Sequence, residues 1–193
     1  MLKLRRFARS IFIGVTSALI FAGLAACTSG PDPNAKKVLM ACYAVTNVQA
    51  GQILGGQLDA LMLSGEKSPI HVCKYTDTNS GDTLALLQIS ESDSKNPAAD
   101  LAADAAQQKA LFKHNIKPIQ IHAADGFGPG AFYLDNSISP MVISVQLYLI
   151  NNGYKMMVQV INPKDFVSGE KQAAALAQQA FNSIKDKSAF KTI

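Results

Sequence analysis

MVISVQLYLINNGYKMMVQVI, residues 141 to 161, reads as two strands and the turn that joins them. Ile143, Val145, Leu147 and Leu149 alternate with Ser144, Gln146 and Tyr148, the period of two that puts successive side chains on opposite faces of a sheet. Asn151-Asn152-Gly153 supplies residues that tolerate the positive φ of a tight hairpin turn. One face of this hairpin is expected to be core and the other at least partly wet.

Outward from the hairpin the periodicity changes. After Asn162-Pro163, Ala173, Leu176, Ala177, Ala180, Phe181 and Ile184 recur at intervals of three and four, with Lys171, Gln178, Asn182 and Lys185 between them, which predicts an amphipathic C-terminal helix. Upstream, Asn96-Pro97 places a capping residue before a proline at the first helical position. Asp100 and Asp104 near the start and Lys109, Lys113 and His114 near the end suit the helix dipole, and Leu101, Ala105, Leu111 and Phe112 form the expected core stripe. Thr46-Asn47-Val48-Gln49 has capping-box spacing for a short helix that Gly55-Gly56 ends. Residues 58 to 63 and 70 to 75 read as a hairpin across Ser64 to Pro69, and residues 83 to 90 as a further strand. The sum is an α+β fold, a single domain in which an antiparallel sheet is packed by helices, ending in a long hairpin and an amphipathic C-terminal helix.

The first residues obey a different logic. Lys3, Arg5, Arg6 and Arg9 precede an uncharged, mostly apolar run from residue 11 to residue 26. Sixteen helical residues reach about 24 Å, short of the roughly 30 Å hydrocarbon core of a bilayer, which favours a cleaved leader over an anchor helix. Leu24-Ala25-Ala26-Cys27 closes the run and resembles the lipobox of bacterial lipoproteins. That resemblance implies removal of residues 1 to 26 and a diacylglyceryl or palmitate-bearing anchor on Cys27. Residues 27 to 37 then form the lipidated end and a Pro- and Gly-containing tether, and residues 38 to 193 the globular domain. Thr28 and Ser29 follow Cys27 in place of the Asp that resembles an inner-membrane retention signal. The expected address is therefore the periplasmic leaflet of the outer membrane, or the outer face of the plasma membrane in a one-membrane cell.

Charge follows from the leader. The chain has 18 Lys+Arg against 14 Asp+Glu, and four of the basic residues, including every arginine, lie before residue 10, leaving 14 against 14. A neutral, arginine-free surface argues against nucleic acid as a partner and against a phosphate clamp. With Cys27 assigned to lipid by the resemblance, Cys42 and Cys73 remain as an even pair in an oxidising compartment and are expected to form a disulfide. The competing reading is a metal or redox site, but no C-x-x-C motif is present.

The order of helix, strands around a cysteine, helix, Gly-rich turn and strand, long hairpin and terminal helix is similar to small PsbP-like lipoprotein domains of bacteria. The resemblance spans roughly residues 38 to 188, with residues 121 to 132 matching the loop those domains carry before a strand. Many such lipoproteins have no assigned activity.

Candidate chemistry is sparse. Gly126-Phe127-Gly128-Pro129-Gly130 looks like a phosphate loop, yet no Lys-Ser/Thr follows and Pro129 lacks an N–H, so a structural turn is expected. No G-x-S-x-G surrounds any serine. His71, His114 and His122 are the three imidazoles, expected as structural or exposed side chains, although His71 could meet His122 if their strands were neighbours; Asp125 and Asp135 flank the Gly-rich turn, as paired carboxylates or, more often, as turn formers. Neither a metal nor a cofactor is expected, and no catalytic residue. The reading favoured by these residues is a membrane-tethered, non-catalytic binding or interaction module for an envelope protein or a small apolar ligand, using a half-polar sheet face with Ser144, Gln146, Tyr148, Lys155 and Gln159. The alternative is a minor periplasmic hydrolase or metal-dependent enzyme using His71 or His122.

Overall fold

A computed structural model describes residues 36 to 113, 117 to 139 and 142 to 192. The leader, Cys27, most of the tether, His114 and Met141 lie outside the described residues. In chain order the elements are β1 (Lys37–Leu39), α1 (Ala41–Ala44), α2 (Asn47–Leu54), β2 (Leu58–Met62), β3 (Ile70–Asp77), β4 (Thr83–Glu91), α3 (Pro97–Leu111), β5 (Gln120–Ala123), β6 (Phe132–Ser139), β7 (Val142–Asn151), β8 (Tyr154–Ile161), α4 (Phe166–Lys185) and β9 (Phe190–Thr192). The fold is α+β: a seven-stranded antiparallel sheet in the order β2-β3-β4-β8-β7-β6-β5, and a small β1-β9 pair that ties the two ends of the domain together. Lys37, expected at the end of the tether, instead pairs with Thr192. Among the described residues no helix is long and apolar enough to cross a membrane.

Local signals account for most boundaries. Thr46 and Gln49 form the capping box of α2, Thr46 Oγ1 accepting the Gln49 N–H and Gln49 Oε1 accepting the Thr46 N–H. Asn96 accepts the Ala99 N–H at the head of α3. Asp165 caps α4, its Oδ1 accepting the Ser168 N–H at 2.7 Å. In the β7–β8 turn Asn152 and Gly153 take φ values of 51° and 80°, the left-handed pair that matches strand twist.

The core lies between one sheet face and α1, α2 and α4. Tyr75, Leu87, Ile89, Val145, Leu147, Leu149 and Val158 point into it; Leu176 of α4 fills it from the other side, and the small Ala173, Ala177 and Ala180 let the helix sit close. Cys42 on α1 is bonded to Cys73 on β3, as expected for the pair, with a sequence separation of 31.

Two expectations about packing change. The second face of β7 is not wet: Ser144 and Gln146 are buried there, and α3 lies over β7 with Leu101 against Phe132, Leu134 and Ile150. Leu111 leaves the expected stripe of α3 and is 64% exposed. Ten residues at about 100° each carry it roughly 80° round from Leu101, whereas Ala105 and Phe112 stay within about 40°.

Candidate functional site

The sequence-predicted residues separate into three places. Ser144, Gln146, Tyr148, Lys155 and Gln159 do gather on one sheet face, but they bind one another and α3. Tyr148 donates to Gln146 Oε1 at 2.7 Å, Gln159 donates to Ser144 Oγ at 3.0 Å, and Lys155 pairs with Asp104 of α3 at 2.6 Å. Burial holds the Tyr148 hydroxyl up at a pKa of about 12, with Asp104 adding to the shift. This polar set is a helix–sheet joint and not the free surface expected.

The uncovered part of that same face lies further along the sheet. Pairing of Leu61 with Lys74, of Val72 with Gln88 and of Gln88 with Met157 puts Leu61, Val72, Leu86 and Met157 on one side, with Lys74 and Gln88 among them and all but Leu61 half-buried. Leu61 and Leu63 are 54% and 53% exposed, and Ile70 is 42% exposed. Next to this patch an open groove of about 670 Å³ runs between Tyr43 and Thr46 on one side and Leu61, Lys74 and Thr76 on the other. Hydrophobic side chains grouped in this way on a surface mark a contact site more often than isolated ones do.

His71 and His122 do not meet. β4, β8, β7 and β6 stand between their strands, five strand spacings or about 24 Å. His71 is buried beside a cleft of about 300 Å³ that Glu66, Glu91 and Lys37 also line; burial lowers its pKa, with Glu91 opposing.

His122 has other company. On the core face of the β5 edge its Nε2 lies 3.4 Å from Asp135 Oδ2 of β6 and 3.5 Å from Glu170 Oε1 of α4. The approach of α4 is set by Gly169, where a Cβ would come within 2.6 Å of Val145 Cγ2. The bare backbone lets the helix descend onto β7, which brings the next residue, Glu170, to the edge strands. Asp135 is buried, and desolvation raises its pKa while His122 pulls it back. The Tyr133 ring sits 5.5 Å from the His122 ring. Asp125 stays exposed in the Gly-rich turn, as a turn former would, and the carboxylate that gathers with Asp135 is Glu170. Glu170 carried no sequence signal, since its place depends on how α4 crosses the sheet.

The Gly-rich segment is a turn. Gly126, Gly128 and Gly130 all have positive φ, and the Ala124 N–H closes the loop onto the Ala131 carbonyl at 2.9 Å. A comparison with protein-family models finds no match, and neither does one with curated proteins.

Proposed function

We propose that this chain is a lipid-anchored lipoprotein of the bacterial cell envelope whose α+β domain acts as a non-catalytic binding module for an envelope protein or a small apolar ligand. The observation that carries the binding role is the sheet face on which exposed Leu61, Leu63 and Ile70 adjoin half-buried Val72, Leu86 and Met157, with Lys74 and Gln88 between them and the groove beside Tyr43 at its edge. The Cys42–Cys73 disulfide supports an oxidising compartment, and Leu24-Ala25-Ala26-Cys27 supports the anchor. One acyl chain holds a protein only marginally at about 0.8 kcal/mol per methylene, so durable attachment calls for the two or three chains that a lipobox cysteine receives.

Native mass spectrometry of the protein gently extracted from its own membranes tests the binding role. A stoichiometric partner or ligand is expected, lost in the Leu61→Asp and Ile70→Asp variants. Extraction that yields neither, or binding indifferent to both substitutions, refutes the proposal. Fractionation of Cys27→Ser tests the anchor, and undiminished membrane association refutes it.

A further inference from the structure

Asp135 and Glu170 are brought to the same imidazole although each is an acid and no lysine among the described residues pairs with either. One donor atom from each of His122, Asp135 and Glu170 falls within 4.8 Å of the other two. An imidazole Nε2 carries at most one hydrogen, so it cannot point a full hydrogen bond at both carboxylates. The separations of 3.4 and 3.5 Å are also long for charge-assisted bonds, which run at about 2.7–2.9 Å. They match a different arrangement: atoms that bind one ion at about 2.0–2.2 Å and tetrahedral angles stand about 3.4 Å apart.

Asp135 provides the independent sign. Only 5% of its side chain is exposed, its Oδ2 faces His122, and its Oδ1 is buried with no hydrogen-bond partner. An unsatisfied buried carboxylate oxygen is costly to keep, and an ion held by both oxygens of the Asp135 carboxylate would satisfy it. The His122 and Glu170 side chains, 42% and 26% exposed, leave the cluster open to solvent on one side, so an ion could enter and retain water.

We infer that His122, Asp135 and Glu170 form a binding site for one divalent transition-metal ion, Zn²⁺ or Mn²⁺ by donor chemistry. One imidazole and two carboxylates suit these ions; Ca²⁺ takes about six to eight oxygens, which three side chains do not approach, and the soft sulfur donors of a Cu(I) site are missing from the cluster. The site stands apart from the open sheet face: it lies on the core side, at the β5–β6 end, where α4 crosses. It gives the domain a metal-dependent clamp between its edge strands and its C-terminal helix.

Calorimetric titration of the full-length, tag-free protein with ZnCl2 and MnCl2 after chelation tests the site. One equivalent is expected to bind, with affinity at least about tenfold weaker in His122→Ala and in Glu170→Gln. Glu66→Gln, which alters a distant exposed carboxylate paired with Lys191, is expected to bind as the parent does. Zn²⁺ should also raise the melting temperature of the parent and not of the two cluster variants, whose circular dichroism reports whether they remain folded. Absence of stoichiometric binding, or an isotherm that neither cluster variant changes, overturns the inference. Tighter binding of Ca²⁺ or Mg²⁺ than of Zn²⁺ and Mn²⁺ overturns the assignment of ion class.

Discussion

Gly130, at the end of the glycine-rich turn, lies so close to Ala98 in the first turn of α3 that a Cβ on it would stand 2.7 Å from the Ala98 Cα. The neighbour is backbone and cannot rotate aside, and Gly130 also has a φ of +76°. Gly130→Ala should therefore destabilise the domain by about 2–3 kcal/mol, read as a lower urea midpoint with an unchanged slope. Gly65, with no heavy atom within 4 Å of its virtual Cβ, is the control, and Gly65→Ala should be close to neutral.

The Cys42–Cys73 bond closes a loop over a sequence separation of 31 on the core side of the sheet. In the chain-entropy model such a loop contributes about 3–4 kcal/mol. Replacing both cysteines with alanine should lower stability by an amount of that order. Alkylation of the unreduced protein should leave both thiols unlabelled, and labelling of both would contradict the bond.

His71 is buried, its Nδ1 has no hydrogen-bond partner, and burial keeps its pKa below the ordinary value of 6.5 despite the nearby Glu91. Such a histidine takes up its proton on unfolding, so acid favours the unfolded chain. The contribution is fully present above about pH 6.5 and is lost as pH falls from there towards the folded-state pKa. Urea titrations at pH 7.5 and 5.5 should show a smaller acid loss in His71→Leu than in the parent; equal losses would exclude the effect.

Tyr148 and Gln146 test the buried polar joint under α3. Tyr148→Phe leaves Gln146 Oε1 without its 2.7 Å donor and should cost about 1–2 kcal/mol. Gln146→Leu combined with Tyr148→Phe should recover part of that loss, because both partners are then apolar. A strictly additive double variant would show that the pair is uncoupled.

Elements read well from local chemistry because their causes are local. The Thr46–Gln49 capping box, the Asn96-Pro97 start and the spacing of Ala173, Leu176, Ala177 and Ala180 each act within a few residues of chain, and each appears in the fold. β1, α1, β5 and β9, of three or four residues each, left no periodic trace. A pattern that short cannot be told from a loop.

The sequence by itself determined the strand hairpin within residues 142 to 161, the amphipathic character of α4 and the antiparallel α+β class, since period and turn chemistry are written along the chain. Only the tertiary structure decided that α3 buries Ser144 and Gln146, that four strands separate His71 from His122, and that Glu170 joins His122 and Asp135. Those three outcomes depend on strand order and on how closely two helices approach a sheet. Such distances are set by packing between segments far apart in sequence, and no local pattern encodes them.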